Sequence, residues 1–333
     1  MTNLGLIIFS DEKEDNKKLK ILKRVYLKIK RFFSGTFISI PIKKVEVNTE
    51  LNIYFIKIKY TLKEISEFKK FKINRLKKNI YKYSMENSID KCILPTLAPT
   101  SLEFNICIKN PFSGHFIYTA LLVNILEIIA DKKGVGVKEF EIGIIQGDNN
   151  KLLYSCIKLL SPLVKFITII TNKKKYVQEE IDEIYDETGL SIRLTEDIES
   201  GLDDVDVIIN LGDFNIFKKD KKIQSNAIVI NYGVARPEEN ILDNIVINSI
   251  SIKFDNLIES MLDQNTISSF TRLELASIIF CHRRGFCANV NENNVDNRTI
   301  NSIYSQFLKS GCKITGLTGS FGGTECGNLE LKI

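Results

Sequence analysis

The sequence is poor in the residue types that build metal centres and disulfide frameworks. It contains two histidines, His115 and His282, and seven cysteines, none of which form a Cys-x-x-Cys pair. Because zinc sites draw mainly on histidine and cysteine at short spacings, we expect no metal site. The odd cysteine count, without an export signal, indicates reduced thiols rather than a disulfide framework.

Long apolar runs are missing as well. The most apolar stretch, Phe116 to Ala130, is shorter than the roughly 20 residues of a membrane-spanning helix, and Asn124 and Glu127 interrupt it. The segment from Met1 to Lys18 turns acidic after a short apolar run and lacks the basic start and small-residue cleavage site of a signal peptide. We therefore expect a cytoplasmic protein without a membrane span.

Charge is distributed unevenly along the chain. Residues 1–100 hold 22 Lys and Arg against 10 Asp and Glu, a net charge of +12. Since the whole chain has a net charge of +5, residues 101–333 have a net charge of −7. Such a bias is compatible with an anionic partner. However, lysine is abundant throughout, and no aromatic RNA-binding motif accompanies the basic residues. We therefore expect lysine-rich solvated surfaces rather than nucleic-acid binding.

Strands alternate with helices between Glu139 and Asn248. Apolar runs such as EFEIGIIQ and KFITIITN predict strands, and the segments between them have helical spacing. Near-continuous Ile and Val runs are typical of parallel strands covered on both faces. The sequence thus predicts an α/β fold, a Rossmann-type doubly wound parallel sheet with a smaller N-terminal α/β domain.

The rest of the chain completes the expected organisation. A strand (GLIIFS), a helix (LKILKRVYLKIKRFF), further strands and a basic helix fill the N-terminal part, and an apolar helix spans Tyr118 to Lys132. The glycine-rich tail GLTGSFGGTECGN is expected to be an exposed, mobile end. We predict an N-terminal domain at 1–110, a connecting helix at 111–135, the nucleotide-binding domain at 136–268 and C-terminal helices with the tail at 269–333.

The first strand-to-helix junction, IGIIQGDNNKLL, lies where a dinucleotide-binding loop would be. Such loops need glycine so that the backbone can approach the pyrophosphate, which rests on the helix N-terminus. Gly147 meets this need, whereas Asp148, Asn149 and Asn150 replace further glycines. Gly147, Asp148 and Asn149 are the cofactor contacts expected in this loop. Asp148 is expected to cap the helix, but its charge would face the phosphates. Dinucleotide binding and its absence both stay open at this loop.

The second strand runs into TIITNKKK, which has no acidic residue. Sites that prefer NAD place a carboxylate here for the ribose hydroxyls, and a basic residue accommodates the 2′-phosphate of NADP. Asn172, Lys173 and Lys174 therefore favour NADP if a cofactor binds. The alternative is a solvated lysine run at a helix start.

Three segments resemble motifs of shikimate dehydrogenases and glutamyl-tRNA reductases. TIITNKK is similar to their Asn-Arg-Thr turn, VDVIINLGDF to their strand ending near the nicotinamide, and AIVINYGVARPEENI to a strand and loop of the tRNA reductases. In order, the pieces from Asn74 to Leu317 most resemble the aldehyde-forming long-chain acyl-carrier-protein reductases. The resemblance implies an NADP-linked oxidoreductase, with Asn210, Gly212 and Gly233 at the cofactor.

The sequence departs from these families at the expected nucleophile. The acyl reductases have a cysteine on the apolar helix, at a position that falls near Asn124 in this chain. No cysteine lies between Cys107 and Cys156. Asparagine supplies no nucleophile, so we expect no thioester intermediate. The Cys-containing motif of glutamyl-tRNA reductases and most phosphate-loop glycines are absent too.

His115 is the polar residue best suited to chemistry. It follows Gly114 at the start of the apolar helix, where it could act as an acid/base, although a lone histidine there also suits a structural role. Thr96 and Thr100 lie in a loop after a strand and are expected to contact substrate. The leading hypothesis is an NADP-linked oxidoreductase acting on a carbonyl, acyl or acyl-carrier substrate in an inter-domain cleft. The rival is a non-catalytic Rossmann-fold binding or regulatory protein, and a homo-oligomer is compatible with either.

Overall fold

The computed structural model divides the chain into two compact units. Unit 1 comprises Met1–Ser113 and Phe254–Asn289, and unit 2 comprises Gly114–Lys253 and Val290–Ile333. The domain boundaries expected from the sequence stay a prediction. The structure describes residues 2–10, 38–39, 44–48, 51–110, 115–213, 217, 223–224, 226–232, 244–260, 262, 264–282, 297–321 and 324–330.

Unit 1 is built on a mixed sheet of six described strands. Four neighbours, in the order β4-β1-β5-β6, run parallel, and two short strands pair antiparallel with β4. Isoleucine, leucine and valine fill these strands, whose alternate side chains face opposite sides of the sheet. The strands are β1 (Thr2–Phe9), β2 (Ile38–Ser39), β3 (Lys44–Asn48), β4 (Leu51–Ile58), β5 (Lys91–Leu94) and β6 (Cys107–Lys109).

Helices of unit 1 cover this sheet. The longest of those that the structure describes, α2, buries Ile73, Leu76 and Ile80 in one cluster with the strand residues Ile7 and Ile56. Such a three- and four-residue spacing is what an amphipathic helix needs to cover a sheet. The described helices are α1 (Leu62–Ser66), α2 (Lys70–Glu86), α8 (Asn256–Glu259), α9 (Gln264–Ser269) and α10 (Arg272–His282), with a 3₁₀ turn at Thr100–Leu102.

Unit 2 contains the doubly wound sheet. Its six parallel strands lie in the order β9-β8-β7-β10-β11-β12, which is the 3-2-1-4-5-6 order of the Rossmann fold. This confirms the fold class expected from the sequence. The strands are β7 (Ile142–Ile145), β8 (Phe166–Ile170), β9 (Ser191–Thr195), β10 (Val207–Asn210), β11 (Ile228–Asn231) and β12 (Ile245–Lys253).

Helices connect these strands and cover the sheet. On one face, Leu202 packs with Val205 against Ile145 and Ile208. Leu202 and Val205 also lie so close to Gly143 that they leave no room for a side chain there. The described helices of unit 2 are α3 (His115–Ala120), α4 (Leu122–Lys133), α5 (Asn150–Leu160), α6 (Lys174–Thr188), α7 (Ile198–Leu202) and α11 (Asn297–Lys309), with a 3₁₀ turn at Val137–Glu139.

The glycine-rich tail corrects one expectation from the sequence. Instead of a mobile end, it forms most of an antiparallel hairpin, β13 (Lys313–Phe321) and β14 (Thr324–Glu330), which extends the sheet beyond β12. Gly319 explains part of the glycine content, because a Cβ there would lie 1.7 Å from the carbonyl oxygen of Val246. The glycines thus permit close pairing of strands.

Two helical expectations have different outcomes. The apolar helix expected from Tyr118 to Lys132 divides at Leu121 into α3 and α4, and Gly134 ends the second with the left-handed conformation (φ 69°) that favours glycine. The helix expected in LKILKRVYLKIKRFF lies outside the described residues. Within the described part of the chain, no helix is both long and apolar enough to span a membrane.

Candidate nucleotide-binding site

The loop between β7 and α5 lies at the carboxyl edge of the parallel sheet. Four buried residues of β7 lead to Gln146, whose backbone N–H donates to the carbonyl of Ile170 at 3.0 Å. Asn149 caps α5, since its Oδ1 accepts the backbone N–H of Leu152 at 3.2 Å. The sequence had assigned the cap to Asp148, which is wrong by one residue. The first turn of α5 thus presents a helix N-terminus, which favours anions, at the topological switch point.

Gly147 is required by a neighbouring loop. A Cβ on Gly147 would lie 2.0 Å from the carbonyl oxygen of Leu211, in the loop that follows β10. On the other side of the contact, a Cβ on Gly212 would lie 3.0 Å from the carbonyl oxygen of Gln146. The two loops at the switch point therefore touch through their backbones. This contact is sufficient to explain the glycine that the sequence analysis assigned to a pyrophosphate.

A hydrogen-bonded group joins the loops after β7 and β8. Thr171 donates its hydroxyl to Oε1 of Gln146, and Nε2 of Gln146 donates to Oδ1 of Asn150 at 2.7 Å. The Thr171 hydroxyl also accepts the backbone N–H of Lys173 at 2.9 Å. Sequence reasoning missed Gln146 and Thr171. Their signal is that each directly follows a buried strand of the parallel sheet.

The two lysines expected at a 2′-phosphate each have an acidic neighbour. The Nζ of Lys173 lies 3.5 Å from Oδ1 of Asp148, and the Nζ of Lys174 lies 4.0 Å from Oε1 of Glu196. Both lysine side chains are two-fifths exposed, and the Asp148 side chain is fully exposed. Ion pairs of this kind contribute about 0–1 kcal/mol, so a competing anion can displace them. Asn172, between Thr171 and Lys173, is exposed.

Three asparagines form a chain of amides on the other half of the same edge, and two of them, Asn210 and Asn231, are buried. Nδ2 of Asn210 donates to Oδ1 of Asn231 at 2.9 Å, and Nδ2 of Asn231 donates to Oδ1 of Asn248 at 2.9 Å. Oδ1 of Asn210 accepts the backbone N–H of Gly212 at 3.2 Å. We call these three residues the asparagine ladder. Its sequence signal is the pattern VIIN, IVIN and IVIN in three adjacent strands, which ends β10 and β11 and begins β12.

The ladder explains where Asn210 and Gly212 lie. Asn210 is fully buried, and its amide is engaged on both sides. Their expected place beside a nicotinamide stays a prediction. Gly233, expected at the cofactor, lies outside the described residues.

Two tyrosines are buried behind the loops of this edge. The hydroxyl of Tyr118 donates to the carbonyl of Ile247 at 3.0 Å, and its ring centroid lies 4.6 Å from that of Tyr232. Burial raises the pKa of both hydroxyls far above the ordinary value, and for Tyr232 the neighbours Cys156 and Tyr118 add to the effect. Neither tyrosine is therefore suited to act as a base. Both serve packing.

The candidate chemical residues belong to different units. His115 begins α3, but its side chain lies outside the described part of the structure. In unit 1, Thr96 donates its hydroxyl to Oε1 of Glu274, whose Oε2 also accepts the N–H of Thr271 at the start of α10. Thr100 is exposed and opens a 3₁₀ turn. Because Thr96 donates to the carboxylate that caps α10, it has a structural role whether or not it contacts a substrate.

Described thiols are buried and poorly suited to nucleophilic attack. At the position where the acyl reductases carry cysteine, Asn124 donates Nδ2 to Oε2 of Glu127 at 3.3 Å. Burial raises the pKa of Cys156 to about 12 and that of Cys92 to about 11, so both are neutral thiols near pH 7. Among the described residues, no group of three or more His, Cys, Asp or Glu side chains is placed to hold a metal ion.

The strand order defines the class of protein: an α/β protein with a Rossmann-type sheet. No family model matches the sequence, and no curated protein matches it significantly. Structurally similar chains include L-tryptophan dehydrogenase from Nostoc punctiforme, with 10% identity, a TM-score of 0.32, and coverage of 92% of this chain and 81% of that one.

Two further similar structures are named for different kinds of enzyme, a dehydrogenase and a transcarbamoylase. Shikimate 5-dehydrogenase from Listeria monocytogenes, in complex with shikimate and NAD, has 9% identity and a TM-score of 0.32, covering 92% of this chain and 96% of its own. Aspartate transcarbamoylase from Trypanosoma cruzi has 11% identity and a TM-score of 0.31, and the match covers 92% of this chain and 83% of the transcarbamoylase. At these TM-scores the similarities support no conclusion on function, and the fold assignment rests on the strand order.

Proposed function

We propose that the chain is an NADP-linked oxidoreductase acting on a carbonyl or acyl substrate. The cofactor would lie at the carboxyl edge of β7 and β8. Gly147, Asn149 and the first amides of α5 would hold the pyrophosphate, while Lys173 and Lys174 would hold the 2′-phosphate, with Asn172 beside them. Asn210, Gly212 and Gly233 would border the nicotinamide. The bound cofactor would supply hydride transfer.

The observation that carries this proposal is the state of the two lysines. Both lie in the loop and first turn after the second strand of a 3-2-1-4-5-6 sheet, and among the described residues each side chain is held by one long, partly exposed ion pair. A phosphate offers several charged acceptors, so it would form stronger, charge-assisted hydrogen bonds than the single carboxylates do. The donor set therefore fits a 2′-phosphate at the adenosine end.

The substrate side of the proposal rests on the sequence resemblance. We retain His115 as the acid/base that exchanges a proton with the substrate oxygen, and Thr96 and Thr100 as substrate contacts. A shikimate-dehydrogenase type of reaction suits this set better than an acyl-carrier thioester reaction, because the latter needs a reactive thiol. Asn124 and the buried Cys156 do not supply one.

A second candidate is a non-catalytic nucleotide-binding or regulatory protein. The backbone contact between Gly147 and Leu211 favours it, because that contact accounts for the glycine without a pyrophosphate. The asparagine ladder points the same way, since its amides between Asn210 and Asn248 are already paired with one another. Under this hypothesis a nucleotide binds at the lysines and no hydride is transferred.

Calorimetric titration with NADPH and NADH tests the proposal. The wild-type chain should bind NADPH at least tenfold more tightly, because one charge-assisted interaction is worth about 1.5–3 kcal/mol. The double variant Lys173→Glu, Lys174→Glu should lose this preference. A matched control, Lys138→Glu with Lys165→Glu, makes the same charge change at exposed residues before the amino ends of β7 and β8 and should retain it.

Three outcomes separate the hypotheses. Equal affinity for the two cofactors in the wild type would contradict the NADP assignment. NADPH preference accompanied by oxidation of NADPH with a carbonyl substrate supports the oxidoreductase. NADPH preference without turnover over a broad panel of carbonyl and acyl substrates favours the non-catalytic candidate.

A further inference from the structure

One side of helix α2 in unit 1 is basic and apolar at the same time. Phe71, Arg75, Lys78, Lys82 and Met85 are all exposed and recur every three or four residues, which places them on one side of the helix. We call these residues the basic face. Phe71 is 69% exposed and Met85 62%. The opposite side of α2 is buried in the core of unit 1, so the basic face is turned to solvent.

The basic face has the composition of a docking surface. Helix α2 contains five lysines and one arginine against a single acid, Glu86. Aromatic residues, methionine and arginine are enriched at protein interfaces and lysine is depleted there, so Phe71, Arg75 and Met85 are the residues of this face best suited to contact a partner. Two large apolar groups near the ends of a cationic stripe indicate an acidic partner with apolar contacts of its own.

Unit 2 carries a helix of the opposite charge. Helix α6 contains six Asp and Glu residues against two lysines at its start. Tyr176, Glu179, Glu183 and Asp186 are exposed on the side away from its buried residues, and we call them the acidic face. Tyr176 is 76% exposed. Within the part of the chain that the structure describes, Glu179, Glu183 and Asp186 form no hydrogen bond or ion pair through their side chains.

We infer that the basic face of one molecule docks on the acidic face of a second copy of this chain. The charges are opposite, both faces include a large exposed aromatic residue, and the helices have similar lengths of 17 and 15 residues, about 25 and 22 Å. Each copy presents both faces, so every copy can take either side of the contact. Phe71, Met85 and Tyr176 provide apolar contact, and the charged residues fix orientation.

The expected contact is weak. A stable complex of ordinary size buries about 1,600 Å² in total, more than one pair of short helices provides, so the association should depend strongly on charge and salt. This inference is independent of the proposed cofactor, since no residue of either face is assigned to the cofactor.

Sedimentation velocity on two charge-reversed variants tests the docking. The wild-type chain should be a dimer at low ionic strength and dissociate as salt is added. Lys78→Glu with Lys82→Glu, and separately Glu179→Lys with Glu183→Lys, should each weaken the dimer roughly 100-fold, because each places like charges together. The first pair lowers the net charge and the second raises it, so a general charge effect cannot produce both results.

Mixing the two variants provides the decisive measurement. In the mixture, each reversed face meets the complementary reversed face, and the remaining wild-type faces meet each other, so a heterodimer should form with nearly wild-type affinity. This rescue also shows that both variants are folded. The control pair Lys138→Glu, Lys165→Glu should remain dimeric.

The inference is overturned by any of three results. One is a wild-type chain that is monomeric at low salt at the highest soluble concentration. Another is a dimer that neither reversal weakens. The third is a mixture that fails to reassociate, which would mean that the reversals act elsewhere or that the basic face binds a different acidic protein.

Discussion

The two halves of the carboxyl edge in unit 2 use polar residues in opposite ways. Around β7 and β8, the partly exposed Lys173 and Lys174 pair with the exposed Asp148 and Glu196 at 3.5 and 4.0 Å. Around β10 to β12, Asn210 and Asn231 of the asparagine ladder are buried and Asn248 is half-buried, with hydrogen bonds of 2.9 Å. Exposed pairs can exchange partners at little cost, whereas a buried, satisfied chain loses stability when one member is removed. The first half is therefore suited to binding and the second to holding the scaffold.

Removing the centre of the ladder should have the largest effect on stability. Asn231→Ala takes away the acceptor of the Asn210 amide and the donor to Asn248, so we expect unfolding to become easier by about 3 kcal/mol. Guanidinium denaturation followed by circular dichroism measures the change. The matched variant Asn248→Ala removes only one of these bonds and should cost about half as much. Equal, small losses for both would show that the ladder does not hold the scaffold.

A methyl group at Gly147 should have the next largest effect. Gly147→Ala places a Cβ 2.0 Å from the carbonyl oxygen of Leu211, so the two loops must separate, at a cost of about 2 kcal/mol. Gly212→Ala meets its nearest atom at 3.0 Å and should cost less than about 1 kcal/mol. Thermal unfolding of the two variants side by side checks the order. If Gly212→Ala were the more damaging, the loop contact would have been misassigned.

The exposed half should tolerate substitution almost completely. Asp148→Ala removes one partner of an exposed ion pair and should change stability by no more than about 0.5 kcal/mol. It also releases Lys173 and removes a negative charge near the phosphates. NADPH affinity should therefore rise by up to about fivefold, whereas NADH affinity changes less. A loss of NADPH affinity in calorimetry would show that Asp148 supports the site instead of competing with it.

Local sequence was sufficient for the parallel strands and insufficient for the hairpin. The runs of Ile and Val in β7, β8, β10, β11 and β12 predict buried strands without knowledge of the neighbouring strands. A strand that is buried on both faces needs apolar side chains throughout. The tail around Gly319 has no such run. Its first strand, β13, is defined by pairing with β12, which lies more than 60 residues earlier in the case of Ser251 and Thr318. That partner cannot be read from composition.

The candidate site was predictable only in part, for a related reason. Lys173 and Lys174 stand out because charge is visible in the sequence itself. The roles of Gln146 and Thr171 depend on two loops meeting at the edge of adjacent strands, which requires the strand order first. The cap at Asn149 instead of Asp148 is a one-residue difference, and helix boundaries are uncertain by that amount from sequence.

Because residues Phe254–Asn289 belong to unit 1, this unit cannot be completed until most of unit 2 has been synthesised. The backbone N–H of Phe9 donates to the hydroxyl of Ser269 at 3.1 Å, across a separation of 260 residues. At translation rates of 5–20 residues per second, roughly 13 to 50 s pass between the synthesis of the two partners. During that interval β1 can pair with β4 and β5, but the end of the strand waits for its last partner. Nascent unit 1 is therefore incomplete while the whole parallel sheet of unit 2 is being made.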